Sequence, residues 1–121
     1  MEKILVIDDS STNIVLLDAL LQREGYEVIT SLGAVEGLKY VENLQPDLIL
    51  LDLLMPEVNG FDFMKSFNQM NKDIPVIIVS AVGTSENKKI SKELGAANFI
   101  NKPVDIPALL NLIKSTLHTT V

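Results

Sequence analysis

The chain has 121 residues, 47% of them apolar, with a formal net charge of −6. Its length suits one domain, residues 1–121, and its apolar content is enough for a core and too high for disorder. The acidic balance argues against direct nucleic-acid binding. There is no cysteine, and the only histidine is His118 near the end, which exclude disulfides and thiol chemistry and argue against a His-based metal centre or triad.

Lys3–Ile7 (KILVI) predicts a first strand. The opening MEKILVIDD meets two acids directly after a short apolar run, so it does not read as a signal peptide. Ile14, Leu17, Leu20 and Leu21 then recur at helical spacing, after the cap-competent Ser10–Asn13 and before Gly25. Tyr26–Thr30 (YEVIT) predicts a second strand. Ala34, Leu38, Val41 and Leu44 predict a second helix, ended by Pro46. Leu48–Leu51 (LILL) predicts a third strand. A third helix is expected to carry Phe61, Met64 and Phe67 or Asn68. Val76–Val79 (VIIV) predicts a fourth strand. Ser85–Leu94 offers only Ile90 and Leu94 among Glu86, Lys88, Lys89, Lys92 and Glu93, which predicts the most weakly anchored helix. Asn98–Ile100 (NFI) predicts a fifth strand. Asp105 can cap a last helix bearing Leu109, Leu110, Ile113 and Leu117. Leu109 and Leu112 are either the edge of that core stripe or a face for a partner or a second copy.

The first, third and fourth strand-like runs are apolar without alternation, as strands covered on both faces are. Five strands alternating with five helices imply an α/β fold, a parallel sheet with helices on both sides. The simplest doubly wound order is 2-1-3-4-5. No apolar run approaches the roughly 20 residues of a membrane span, so no membrane association is expected.

The residues that end these runs are polar: Asp8–Asp9, Asp52, Ser80 and Asn101–Lys102–Pro103. Taken singly, each is an ordinary cap, turn former or solvated lysine. Together they fall on one edge of a parallel sheet, beside the switch in strand order where such folds bind ligands. Two unit charges about 4 Å apart repel by about 4 kcal/mol at an effective dielectric of ~20. Three carboxylates in one crevice therefore need counter-charge, from Lys102 and from a hard divalent cation such as Mg²⁺. A carboxylate is also a nucleophile toward phosphorus. Asp52, alone on the central strand, is the best nucleophile; the Asp8–Asp9 pair suits metal holding. The chemistry that uses every part is phosphoryl transfer onto one aspartate.

The stretches ILVIDDS, PDLILLDLLMPEVNGFDF, PVIIVSA and GAANFINKP resemble a response-regulator receiver domain of two-component signalling, over nearly the whole chain. The resemblance implies a flavodoxin-like fold, a signalling switch rather than a turnover enzyme, and a cytoplasmic phosphoprotein. It implies that Asp8 and Asp9 hold Mg²⁺ (or Mn²⁺) with Asp52 and the backbone carbonyl of Leu54. It implies that Asp52 accepts a phosphoryl group from a histidine kinase or histidine phosphotransfer protein, and that Ser80 and Lys102 then contact it. Pro56 and Gly60 match the loop after the acceptor strand. Phe99 takes the place of an aromatic that changes rotamer on activation, or is an ordinary core residue. The Lys102–Pro103 bond is implied to be cis. The output face is implied to be the Ser85–Leu94 helix, the fifth strand and the last helix, in a monomer or a weak, phosphorylation-dependent dimer. Leu54 and Val82 stand where family members often carry polar side chains. As apolar groups they offer an attacking water no hydrogen bond, which predicts a long-lived phosphorylated state.

Rival readings fit less well. A dehalogenase-type phosphatase resembling this site would carry a second Asp where Leu54 stands. A flavodoxin-type cofactor binder would need a phosphate-cradling loop where Asp8–Asp9 stand, and they would repel a phosphate. A degenerate receiver used only for binding would not need all five site residues. Both a complete single-domain regulator and a piece of a longer protein fit the sequence.

Overall fold

The computed structural model describes residues 1–55 and 58–118. Its elements are β1 (Lys3–Ile7), α1 (Ser11–Arg23), β2 (Glu27–Ser31), α2 (Ala34–Leu44), β3 (Leu48–Leu51), α3 (Gly60–Gln69), β4 (Val76–Ser80), α4 (Ser85–Glu93), β5 (Asn98–Asn101) and α5 (Ile106–Leu117). The strands form one parallel sheet in the order β2-β1-β3-β4-β5. The expected α/β class and strand order are both present. Pro56 lies outside the described residues.

Alternation of side chains along each strand divides the core in two. Leu5, Ile7, Ile49, Leu51 and Ile78 face one side, under α2 and α3. Ile4, Val6, Leu48, Leu50, Ile77 and Val79 face the other, under α1 and α5. Strands β1, β3 and β4 are buried on both faces, apart from Lys3 at the start of β1. That is why their sequences carry no polar alternation. Edge strand β5 has no buried residue.

Side chains set the helix starts. Ser10 accepts from the Asn13 N–H, Asn59 from Asp62, Thr84 from Asn87 and Asp105 from Ala108. Each satisfies a donor that the first turn leaves orphaned. Helix α2 stops at Gln45, which adopts the left-handed region (φ 46°) just before Pro46.

The packing corrects several sequence expectations. In α3 the buried side chains are Phe63, Met64 and Phe67, while Phe61 is half-buried and Asn68 exposed. The Asn59 cap sets the phase of the helix, and that phase turns Phe63 inward, where it stacks on Phe67. Leu44 is exposed at the end of α2. Tyr26 is buried but precedes β2. Leu109 is core, and Leu112 packs against the same cluster. Helix α4 has a single buried residue, Ser91, as its weak apolar stripe predicts. Among the described residues, no helix is long and apolar enough to cross a membrane.

Gly60 shows how tightly the loop after β3 is drawn in. A Cβ there would lie 2.7 Å from the Asp52 carbonyl oxygen and 2.8 Å from Leu53 Cα. Both are backbone-held atoms with little room to move. Gly60→Ala is therefore expected to destabilise the fold by about 1–3 kcal/mol, read from the urea midpoint at unchanged m-value. An unchanged midpoint would show that the loop yields freely.

Candidate functional site

The site is built at the carboxyl-terminal edge of the sheet. Asp8 follows β1, and its N–H donates to the Ser31 carbonyl at 3.1 Å. Asp52 follows β3, and its N–H donates to the Ile7 carbonyl at 2.9 Å. Each aspartate is thus fixed by one more rung of the ladder beyond its strand. Leu53 and Met55 are buried on either side of exposed Leu54, which anchors the loop that follows.

Asp8, Asp9 and Asp52 each bring a carboxylate oxygen within 4.8 Å of the others. Asp8 and Asp52 are buried, while Asp9 is exposed. Lys102 reaches in from the loop after β5. Its Nζ lies 3.2 Å from Asp8 Oδ2 and 3.6 Å from Asp52 Oδ2. Asp8 also accepts from the Ser10 N–H at 2.9 Å and the Asn13 amide at 3.4 Å. Among the described residues, Asp52 Oδ1 accepts only a long bond, 3.4 Å, from the Leu54 N–H. Of the two buried carboxylates, Asp52 is the less satisfied, and so the freer to react.

Burial pushes the Asp52 carboxyl above its ordinary pKa. The nearby Lys102 opposes this, Asp8 and Asp9 add to it by like-charge repulsion, and the Leu54 N–H opposes it. Three carboxylates against one ammonium leave negative charge uncompensated. Hard oxygen donors crowded this closely, with no sulfur or imidazole among them, fit a divalent cation such as Mg²⁺.

Ser80 ends β4 fully buried. Its hydroxyl accepts from the Val82 N–H at 3.1 Å, and its carbonyl accepts from the Lys102 N–H at 2.9 Å. Among the described residues it makes no hydrogen bond to Asp52. The sheet brings Ser80 to the same edge as the aspartates without joining them. Lys102–Pro103 is a cis peptide.

Phe99 is half-buried against the α2–α3 side of the core. The ammonium of Lys88 on α4 sits 5.8 Å from its ring centroid, within cation–π range. Val82 is half-buried and Leu54 is 56% exposed. Beside Asp8 and Lys102 opens a cavity of about 320 Å³ walled by Leu16, Leu17, Val79, Pro103, Val104 and Ile106. This apolar annex is not legible in the sequence, because its walls come from α1, β4, the loop before α5 and the start of α5. Asn87 was also missed. Its side-chain amide donates to the Val82 carbonyl at 2.8 Å, and in sequence it is one polar residue in a polar helix.

The comparisons with known proteins agree with this geometry. The family model for the response regulator receiver domain matches residues 4–114. Protein PilH of Pseudomonas aeruginosa is 35% identical, over 97% of this chain and 98% of its own length. Sporulation initiation phosphotransferase F of Bacillus subtilis is 34% identical, over 96% of this chain and 94% of its own. A CheY-like response regulator receiver domain protein from Methanospirillum hungatei superposes with a TM-score of 0.94 at 31% identity, covering 98% of this chain and 95% of that one. With its strand order, its acidic crevice and these matches, the chain belongs to the response regulator receiver domain family, the phosphorylation-dependent switches of two-component signalling.

Proposed function

We propose that Asp52 is the phosphoacceptor of this receiver and that residues 1–121 make up one receiver domain. The observation that carries this is the placement of Asp52. It is a buried carboxylate, weakly hydrogen-bonded, with one ammonium 3.6 Å away and two further carboxylates beside it. Receiver domains bind Mg²⁺ at an acidic aspartate pocket and are phosphorylated by histidine kinases or phosphotransfer proteins. In this chain Asp8, Asp9 and Asp52, with the Leu54 carbonyl, would hold the ion. Bound there, Mg²⁺ supplies positive charge beside the transferring oxygens.

An oxygen of Asp52 attacks the phosphorus of a phosphohistidine. The P–O bond forms as the P–N bond breaks, and the imidazole nitrogen leaves with the electron pair and takes a proton from solvent. Lys102 meets the charge on the phosphoryl oxygens, and the Ser80 hydroxyl donates to one of them. Phe99 and α4 then rearrange, and the face made by α4, β5 and α5 changes. The switch takes part in its own phosphorylation and dephosphorylation and works in the cytoplasm. The apolar annex beside Asp8 suits a protein donor, since a small phosphodonor would make no use of it.

Incubation with Mg²⁺ and phosphoramidate is expected to add the mass of one phosphoryl group. That gain should be absent in Asp52→Asn and sharply reduced when EDTA replaces Mg²⁺. A full gain in Asp52→Asn would remove Asp52 from the role.

Leu54 and Val82 present no polar side-chain atom to an attacking water. Leu54→Asn is expected to shorten the phosphoryl lifetime severalfold, followed by the decay of the modified mass after removal of the donor. An unchanged lifetime would mean that Leu54 does not tune turnover.

The raised Asp52 pKa also has a consequence for stability. The folded chain binds this proton more tightly than the unfolded chain does. The stabilising contribution is therefore present at low pH. It is lost as pH rises from the unfolded value toward the higher folded value. Above that window, ionised Asp52 is a constant cost. In the absence of divalent cation, Asp52→Asn is expected to raise stability at pH 7 by on the order of 1 kcal/mol, a few degrees in Tm. The gain should vanish below about pH 3, where aspartate is largely protonated in both states. An equal gain at both pH values, or none at pH 7, would contradict this assignment.

A further inference from the structure

Helix α4 is held to the sheet by very little packing, with only Ser91 buried, yet its first turn is tied to the Ser80 loop by side chains. The Ser80 hydroxyl accepts from the Val82 N–H at 3.1 Å, and the Val82 carbonyl accepts from the Asn87 amide at 2.8 Å. This gives a continuous hydrogen-bonded link from Ser80 to α4. The next residue, Lys88, places its ammonium over the Phe99 ring.

We propose that Asn87 is the positioning residue through which a phosphoryl group on Asp52 moves α4. The proposal rests on the reading of Asp52 as acceptor and Ser80 as its contact. A serine hydroxyl has one proton to donate. To give it to a phosphoryl oxygen, the Ser80 hydroxyl must turn toward Asp52. The Val82 N–H then either follows it or loses its acceptor. In both cases Val82 shifts, and its carbonyl accepts from the Asn87 amide at 2.8 Å and from the Thr84 N–H at 2.9 Å. The Thr84 bond holds only the residue before the helix, whereas the Asn87 amide grips the first turn itself. The first turn of α4 has few apolar contacts to resist the pull, so it follows. Lys88 moves with it, which releases the Phe99 ring. Every step is a contact between named groups, and the element that moves is the one least anchored.

Hydrogen–deuterium exchange of the α4 amides, with and without phosphoramidate and Mg²⁺, tests this, with phosphorylation scored by intact mass in the same samples. In the parent protein, phosphorylation is expected to change α4 exchange. Asn87→Ala is expected to accept the phosphoryl group to the same extent but to lose more than half of the α4 response. Thr84→Ala removes the cap bond of the same turn and leaves the tether, so its response should persist. The inference alone falls if the parent responds and Asn87→Ala responds equally. It also falls if Thr84→Ala loses its response as fully as Asn87→Ala, since helix stability would then be the cause. A phosphorylated parent with no α4 response would overturn the switch reading itself, and this inference with it.

Discussion

Crowding of like charge at one edge of an apolar sheet governs this molecule. Asp8, Asp9 and Asp52 are held within 4.8 Å of one another, with Lys102 as the cation that touches both buried carboxylates. Flexible side chains in water would relieve such repulsion by moving apart. Here the backbone forbids it, because the Asp8 and Asp52 N–H groups are bound to the neighbouring strands. The rigid sheet therefore stores an electrostatic cost: burial does most to push the Asp52 carboxyl upward, Lys102 opposes it, and repulsion from Asp8 and Asp9 adds to it. Whatever brings positive charge to the crevice, or takes up the free lone pairs of Asp52, is favoured by that cost.

The two faces of the sheet are unequally anchored, which decides where the cost is felt. Helices α1 and α5 bury Ile14, Leu17, Leu21, Leu109 and Ile113 against the strands. Helix α3 buries two phenylalanines and a methionine. Helix α4 buries only Ser91, whose hydroxyl donates to the Asn87 carbonyl within the helix. A disturbance entering at the crevice meets firm packing in most directions. It meets slack along the Ser80 loop, which leads directly to α4. The fold thus gives a local event a preferred outlet without any special hinge.

Much of this was legible in the sequence, for a definite reason. Unbroken short runs such as LILL and VIIV, set between helical patterns, read as strands covered on both sides. Once those are placed, a polar residue at the end of each run has one location. That logic placed Asp8, Asp9, Asp52, Ser80 and Lys102 on one edge with no structure in hand. It failed where several phases were equally apolar. In GFDFMKSF, Phe61 and Phe63 compete for the core. The tie is broken by the Asn59 cap and by the close approach of Gly60 to the Asp52 carbonyl, which periodicity does not report. It failed again for Asn87, because a side chain that binds a carbonyl five residues away is indistinguishable in sequence from any solvated asparagine. Leu109 is ambiguous between core and surface in the sequence; in the fold it is buried, in the cluster that also holds Leu50 and Val79.

The identity of residue 99 bears on how finely the switch is balanced. A phenylalanine has no hydroxyl to satisfy, so either position of the ring leaves no polar atom stranded. In the observed position Lys88 sits over the ring, which at a solvent-exposed site is worth about 0.5–1 kcal/mol. Turning the ring further inward would exchange that attraction for additional apolar burial, at about 25 cal/mol per Å². The ring itself is locked by no hydrogen bond in either arrangement. A hydrogen bond to a charged group contributes about 1.5–3 kcal/mol. One such bond, as proposed from Ser80 to a phosphoryl oxygen, would be enough to shift the balance by roughly 10- to 150-fold. A lightly held helix and an aromatic without a hydroxyl would thus let a single new bond at the sheet edge decide the state of a distant face.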